Sequence, residues 1–214
     1  MEDIDRQESY WDGVADQKTF SHPIPLDAFR TFVSEGDAIL DYGCGYGRSC
    51  AFLRENGYTD VVGVDISNAM LNRGNRMHDG LRLRRMEGRR LPFADETFAA
   101  CTLLAVLTCV PGDEGQRGIV DEIHRVLKPG GILYLSDYPL QRDRRNQERY
   151  SRFEHEFNTF GIFRLSDGGI VRHHDMPWIH TLLAAFDISR EGTCDILTMN
   201  GNSAKIFQII ARKR

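Results

Sequence analysis

The stretch ILDYGCGYGR places glycine at alternate positions, Gly43, Gly45 and Gly47, directly after residues typical of a buried strand. Glycine adopts backbone angles closed to other residues and lets the chain lie close to a ligand. Such a loop can cradle a phosphate, form a turn with no ligand, or seat another nucleotide-like cofactor. Its G-x-G-x-G spacing differs from the G-x-G-x-x-G dinucleotide fingerprint, and no G-K-[ST] of a P-loop is present. The glycines alone leave all three uses open.

A carboxylate follows at the end of the next apolar run. Asp65 comes after VVGV, about 20 residues beyond the glycines. In doubly wound α/β folds a carboxylate at this place accepts hydrogen bonds from the two ribose hydroxyls of a nucleotide cofactor. The alternative role is to cap the next helix, but Ser67 is better placed for that. We therefore interpret Asp65 as a ribose ligand.

A sheet must position these residues, and the sequence alternates apolar runs with helical patterns, which predicts parallel strands covered by helices on both faces. Helices are predicted over RSCAFLREN, which ends at Gly57, after the capping residue Ser67, and over GQRGIVDEIHRVL, which KPGG terminates. The expected fold class is α/β, a Rossmann-like doubly wound sheet. The predicted strands of its first part span residues 38–43, 60–67, 81–87, 98–107 and 132–138.

A chain of 214 residues is expected to fold as a single domain. Residues 1–34 are interpreted as a lead-in, 35–139 as the cofactor-binding core and 181–214 as the final strands. Residues 140–180 contain a charged helix and two short strands around an Asp-Gly-Gly turn. This segment is too short for a core of its own, so we interpret it as an insertion that covers the acceptor site.

Composition excludes several function classes. The net charge of −4 gives no general attraction to nucleic acid, and no run of about 18 apolar residues is present to span a membrane. The acidic, polar start MEDIDRQESYW is unlike a secretory signal. The five cysteines are scattered without a C-x-x-C pair, which favours reduced thiols and argues against a zinc site. We expect a cytoplasmic protein, a monomer or homodimer, with no metal.

Four ordered blocks, ILDYGCGYGR, VVGVDIS, MEGRRLPFADETF and EIHRVLKPGGILYLSDY, together resemble the class I S-adenosylmethionine-dependent methyltransferases, in particular the small-molecule enzymes of the type 11 kind. The blocks cover residues 38–138, and ESYWDGVA is similar to the family's lead-in helix. The resemblance implies a seven-stranded sheet whose last strand is antiparallel. It also implies that S-adenosyl-L-methionine lies across the carboxyl ends of the strands, where open α/β sheets bind ligands.

The resemblance assigns cofactor roles residue by residue. The glycines would let the backbone lie against the cofactor, and Asp41 would orient their loop. Asp65 would bind the ribose, and Glu87 would hold the adenine amino group. Glu87 stands where the family usually has Asp, and Ala99 replaces an Asp common at the start of the fourth strand. The implied cofactor-binding residues are Tyr10, Asp41, Gly43, Gly45, Asp65, Ile66, Glu87, Gly88 and Leu104.

Methyl transfer from a sulfonium is an in-line displacement that depends on positioning and desolvation, so the family signature does not identify the acceptor. The Asn- or Asp-Pro-Pro-aromatic signature of base-amine methylases and the Pro-Cys of cytosine methylases are absent. A small-molecule O, N or C nucleophile is the favoured acceptor. The alternatives are an RNA- or protein-directed enzyme, to which the arginines of residues 82–90 and 142–149 point, and a non-catalytic cofactor-binding subunit.

Acceptor contacts are expected from the lead-in and the insertion. In VRHHD, His173 or His174 could deprotonate an acceptor, because imidazole titrates near neutral pH; the alternative is a surface or capping pair. His22 has a weaker claim. A second candidate set is aromatic and would line an apolar pocket or simply form core: Trp11, Phe20, Tyr150, Phe153 and Phe157.

Overall fold

The computed structural model describes residues 4–88 and 90–214. Its strands are Ile39–Tyr42 (β1), Val61–Asp65 (β2), Arg82–Arg85 (β3), Phe98–Leu104 (β4), Leu127–Asp137 (β5), Ile162–Arg164 (β6), Ile170–Arg172 (β7), Phe186–Leu197 (β8) and Ser203–Lys213 (β9). Its α-helices are Glu8–Val14 (α1), Leu26–Arg30 (α2), Arg48–Glu55 (α3), Asn68–Met77 (α4), Asp113–Val126 (α5), Arg144–Phe157 (α6) and Met176–Leu182 (α7).

The described strands form one seven-stranded sheet in the order β3-β2-β1-β4-β5-β9-β8, and β6 and β7 form a separate antiparallel pair. The pairs from β3 to β5 are all parallel, whereas the final strand β9 runs antiparallel to both of its neighbours. This confirms the predicted sheet. The strand order reverses direction between β1 and β4, and open α/β sheets bind ligands at the carboxyl ends of the strands at such a point.

Both faces of the sheet are buried, as the apolar run FAACTLLAVL at residues 98–107, which contains β4, predicts. Successive residues of β1 point to opposite faces, so Leu40 packs with α5 and α7 while Ile39 packs with α2, α3 and α4. Ser67 caps α4 by accepting a hydrogen bond from the Met70 amide, as expected. The two packed faces hold the central strands rigidly, and their carboxyl ends provide a firm edge for a site.

Strand ends differ from the predictions by one or two residues in most strands and by more in two places. β4 stops at Leu104, because Ala105 has a left-handed backbone with φ of 53°, and a 3-10 turn follows at Leu107–Cys109. β5 begins at Leu127, five residues before the prediction, which ended the preceding helix at KPGG. Phe98 pairs with Leu127 and Ala100 with Ile132, so residues 128–131 bulge from the ladder without ending the strand.

Gly74 on α4 lies directly against the glycine loop. A Cβ at this position would come 2.8 Å from the Tyr46 carbonyl oxygen and 2.6 Å from Leu83 Cδ1. Within a helix, Gly→Ala normally gains about 1 kcal/mol, but overpacking against backbone costs more. We expect Gly74→Ala to lower the free energy of unfolding in urea by about 1–2 kcal/mol. Gly13→Ala on α1, where nothing lies within 4 Å, is the control; equal stability of the two variants would contradict this packing.

Candidate active site

A cleft of about 1150 Å³ opens at the carboxyl ends of β1, β2 and β4. Ligand pockets usually have about 300–1,000 Å³, so this cleft has room for a nucleoside cofactor and a second molecule. Nearly all the residues chosen from the sequence line it, namely Tyr10, Asp41, Gly43, Gly45, Asp65, Ile66, Glu87, Gly88, Leu104 and His173. His174 is fully buried and does not line the cleft. The topology thus brings the lead-in, the strand ends and the insertion to one place.

The glycine loop forms a floor free of side chains. Gly43, Gly45 and Gly47 have φ of 69°, 56° and 74°, a region that other residues rarely adopt. A Cβ on Gly45 would lie 2.1 Å from the Phe20 ring, and one on Gly43 would lie 2.4 Å from Val106. The alternating glycines are therefore required by both backbone conformation and space.

Asp65 is bound to this floor through its carboxylate. Its Oδ2 accepts a hydrogen bond of 2.8 Å from the Gly45 amide, and its Oδ1 accepts one of 2.8 Å from the Ser67 amide. A carboxylate offers about four acceptor positions, so two hydroxyl donors fit beside these amides. Desolvation within the cleft raises the pKa of Asp65 to about 6. The arrangement can bind a vicinal diol.

Asp41 lies beneath the loop at the end of β1 and is almost entirely buried. Thr102 donates a hydrogen bond of 2.6 Å to its Oδ1, and Cys50 donates one of 3.3 Å to its Oδ2. Burial raises the pKa of this carboxyl group. Its hydrogen bonds connect β1, β4 and α3, which fixes the base of the glycine loop.

The adenine end predicted from the sequence is more open. Glu87 and Gly88 follow β3 and are exposed, and Gly88 has φ of 65° with no atom of the described residues within 4 Å of an added Cβ. Ile66 and Leu104 are partly buried and give the cleft apolar surface on either side of the loop. This end therefore offers one carboxylate, a backbone free of side-chain obstruction and an apolar wall.

An aromatic cluster from the lead-in covers the glycine loop. Trp11 lies with its ring centroid 5.1 Å from Tyr10 and 6.1 Å from Phe20, and Phe20 stacks on Tyr46 at 5.1 Å. Burial and the nearby Asp167 raise the pKa of Tyr10, so its phenol stays protonated. Trp11 and Phe20 line the cleft, in agreement with the pocket alternative weighed for them.

The lead-in is joined to the insertion above the cleft. The Tyr10 hydroxyl donates a hydrogen bond of 3.1 Å to Asp167, and buried Lys18 pairs with the same carboxylate at 2.5 Å. Gln7 exchanges two hydrogen bonds with the backbone of Ile170 in β7, at 2.7 and 2.8 Å. These contacts close the cleft from above.

His173 lines the cleft beside Tyr138 and Phe163, a part of the cleft that we call the acceptor end. Its ring stacks on Tyr138 at 5.2 Å, and its Nδ1 is 2.5 Å from the Tyr150 hydroxyl. That hydroxyl also accepts a hydrogen bond from the Gln141 amide, which leaves its own hydrogen available for His173 Nδ1. On this basis we assign the hydrogen of the neutral ring to Nε2. Burial lowers the pKa of His173 to about 3, so the ring stays neutral at physiological pH.

Several lining residues were not identified from the sequence as part of the site. Tyr138 follows β5 directly, and the position of a residue just past a central strand is the signal that could have found it. Asn146 and Arg149 line the cleft from α6, whereas Tyr150, Phe153 and Phe157 of the aromatic set do not. The face of α6 that reaches the cleft is therefore its polar one.

Comparison with known proteins agrees with this geometry. Residues 40–135 match a family described as "Methyltransferase domain". A SAM-dependent methyltransferase from Methanosarcina mazei has a similar structure, with a TM-score of 0.82 and 28% identity over 89% of this chain and 98% of that chain.

Curated relatives match over part of their length. Demethylmenaquinone methyltransferase of Beutenbergia cavernae is 36% identical over 104 residues, 48% of this chain and 41% of that protein. Methyltransferase GfsG of Streptomyces halstedii is 31% identical over 114 residues, 50% of this chain and 40% of that protein. The chain thus spans less than half the length of these two relatives. Given the family match, the sheet and the cleft, residues 40–135 form a methyltransferase domain of the class I S-adenosylmethionine-dependent kind.

Proposed function

We propose that this protein transfers a methyl group from S-adenosyl-L-methionine to an O, N or C nucleophile of a small molecule. The observation that carries the proposal is the carboxylate of Asp65, bound to the Gly45 amide within a cleft that His173 and Tyr138 also line. The cofactor fits the residues present, because Asp65 has acceptor positions for a ribose diol and the glycine floor has no side chains. Glu87 and the Gly88 backbone would hold the adenine, between the apolar surfaces of Ile66 and Leu104.

The chemistry needs little from the protein beyond position and exclusion of water. When bound, S-adenosyl-L-methionine supplies a methyl group activated by a sulfonium. Asp65 and the glycine loop orient the donor, while Trp11 and Phe20 exclude water from above. We propose that His173, which lines the acceptor end, donates its Nε2 hydrogen to an oxygen of the acceptor and so holds it in place. We give His174 no contact with the reactants, because it does not line the cleft.

A small acceptor is supported by how the cleft is closed. In our interpretation residues 1–34 and 140–180 together cover the site, since Gln7, Tyr10 and Lys18 all bind the β6–β7 hairpin region. The relatives whose names print a substrate point the same way, because demethylmenaquinone is a small molecule. We propose that the protein acts as a monomer or homodimer. In the described part of the chain, no helix is long and apolar enough to cross a bilayer.

The RNA- or protein-directed alternative is less well supported. It draws on the arginines of residues 82–90 and 142–149, and two arginines of the first run are already paired with carboxylates. Arg82 pairs with Asp60, and Arg85 pairs with Glu8 at 2.8 Å. Arg89 of that run lies outside the described residues.

The test is a methyl-transfer screen with radiolabelled S-adenosyl-L-methionine against a metabolite panel, bulk RNA and a protein extract. We expect label in one or more metabolites and none in RNA or protein. Calorimetry with S-adenosylhomocysteine accompanies the screen. Label only in RNA or protein would contradict the small-molecule acceptor, and absence of cofactor binding would support the non-catalytic alternative.

Cofactor affinity is expected to rise about 10-fold between pH 5 and pH 7. Ribose hydroxyls donate to the ionised carboxylate, so binding is lost as pH falls through the pKa of Asp65, about 6. The pKa values of His22 and His173, lowered to about 4 and about 3 by burial, lie below this window. The folding stability of the cofactor-free protein is expected to have the opposite pH dependence. Because the pKa of Asp65 is raised in the folded state, that state loses stability as pH rises through 6.

The measurement is calorimetric titration with S-adenosylhomocysteine at both pH values. Asp65→Asn, which does not titrate, should remove the pH dependence. A wild-type affinity that is equal at pH 5 and pH 7 would contradict the assignment of the raised pKa to a ribose ligand.

A further inference from the structure

One face of α6 presents polar side chains to the acceptor end of the cleft. Arg145, Asn146 and Arg149 all line the cleft, and their spacing of three and four residues places them on neighbouring turns of one helix face. Arg144 and Arg152 of the same helix do not line it. The charge of α6 is therefore divided between solvent and the site.

Arg149 is half-buried in this wall and has no carboxylate partner. Its guanidinium lies 4.4 Å from the centre of the Phe163 ring, and among the described residues no carboxylate oxygen lies within 4.0 Å of it. Burial, together with the nearby Arg145, lowers the pKa of Arg149. Two other arginines of the insertion are paired, Arg164 with Glu156 and Arg172 with Asp113. A half-buried cation left unpaired by the protein is a feature of anion-binding sites.

Two further groups complete the wall. Asn146 is 1% exposed; its Nδ2 donates to Asp143, and its buried Oδ1 has no partner among the described residues. His173 lies with its ring centroid 5.0 Å from Phe163 and carries the Nε2 hydrogen. The acceptor end thus combines cationic donors, one neutral N–H donor, one unsatisfied acceptor and the aromatic surfaces of Phe163 and Tyr138.

We propose that the methyl acceptor is an organic anion with an aromatic or apolar body. Its carboxylate or phosphate would bind Arg149, with Arg145 beside it, and its body would pack on Phe163 and Tyr138. The inference rests on the proposed function, because it names the acceptor class of the same site.

The physical reason is charge compensation in a partly desolvated place. The planar guanidinium binds a carboxylate or a phosphate through two parallel hydrogen bonds, and such bonds strengthen away from water. A neutral ligand of the same shape would displace water from Arg149 without replacing its hydrogen bonds to an anion. The site should therefore discriminate charge more strongly than shape.

The test uses three probes of similar shape: 4-hydroxybenzoate, phenyl phosphate and the neutral 4-hydroxybenzamide. Each is titrated into the full chain by ligand-observed NMR, with and without saturating S-adenosylhomocysteine. We expect at least one anion to bind about 10-fold or more tightly than the amide. The stronger of the two anions tells whether the group recognised is a carboxylate or a phosphate.

Two substitutions localise the effect. Arg149→Gln should abolish the preference for the anion, and Arg149→Lys should retain part of it because the charge remains. Arg152→Gln, an exposed arginine on the same helix that does not line the cleft, is the matched control and should keep the full preference. Equal binding of anion and amide, an unchanged preference in Arg149→Gln, or no binding of any probe would each overturn the inference.

Failure of this inference is distinguishable from failure of the proposed function. Calorimetry with S-adenosylhomocysteine reports the donor site alone, and the probe titrations without cofactor report the anion site alone. A protein that binds S-adenosylhomocysteine but shows no anion preference keeps its methyltransferase role and loses the anionic acceptor. The reverse result would contradict the proposed function and leave an anion site to explain.

Discussion

Replacing Asp65 by alanine is expected to weaken S-adenosylhomocysteine binding by about 100-fold or more while the chain stays folded. Hydrogen bonds to a charged group contribute about 1.5–3 kcal/mol each, and two ribose hydroxyls would lose them. The substitution also releases the Gly45 amide from the carboxylate, so the glycine loop loses a contact that shapes its floor. Both effects weaken binding of the methyl donor, and neither changes a residue at the acceptor end of the cleft.

The measurement is calorimetry, with far-ultraviolet circular dichroism to verify the fold. Asp65→Asn should give an intermediate loss, because an amide retains one acceptor oxygen but lacks the charge. Asp60→Ala is a matched control, since Asp60 lies before the amino end of β2 and pairs with Arg82. A wild-type affinity in Asp65→Ala would show that the ribose binds elsewhere.

Local patterns predicted most of the sheet. The apolar run of β1, the glycines after it and the Ser67 cap of α4 all depend on neighbours in sequence, and the structure has each of them. The positions of strand ends were less predictable. The bulge at residues 128–131 depends on how β5 pairs with β4, and sequence periodicity does not report a pairing register.

The histidine pair shows what tertiary structure adds to the site. Sequence treats His173 and His174 alike, but adjacent residues of an extended segment point to opposite sides. His173 therefore lines the cleft, and His174 is buried with its Nε2 3.7 Å from Asp137. Only the path of the chain between Pro139 and β7 decides which of the two faces the ligand.

The arginines of the insertion also show that tertiary structure decides which residues reach the site. Their clustering in sequence is equally typical of a solvated helix face and of a binding site for a negatively charged ligand. Arg144 fits a solvated face, because it is exposed and pairs with Glu148 at 2.6 Å. Arg149 does not, because α6 packs beside β6 and turns that residue toward Phe163. The charge of the side chain does not distinguish Arg144 from Arg149, because the packing of α6 decides which of them reaches the cleft.

Asp137 is an acid at the end of a strand, as Asp41 and Asp65 are. We expect its replacement by alanine to lower the free energy of unfolding more than the other substitutions do. Its side chain is fully buried at the end of β5. It accepts hydrogen bonds from the Thr108 amide at 3.0 Å and from the Tyr138 amide at 2.8 Å. Asp137→Ala would leave both buried amides unpaired, and each costs about 1–3 kcal/mol. We expect the free energy of unfolding to fall by about 3 kcal/mol.

Urea unfolding measures this loss, and the chain offers an exposed control. Asp195→Ala removes a surface carboxylate paired with Lys205 at 3.1 Å, and a surface pair of this kind contributes about 1 kcal/mol at most. Asp137→Asn keeps one acceptor and should lose less than the alanine variant. Because Thr108 and Tyr138 both line the cleft, the surviving folded fraction of Asp137→Ala should also bind S-adenosylhomocysteine less tightly. Equal stabilities of Asp137→Ala and Asp195→Ala would mean that the two amides find other partners, and that Asp137 does not fix this wall of the cleft.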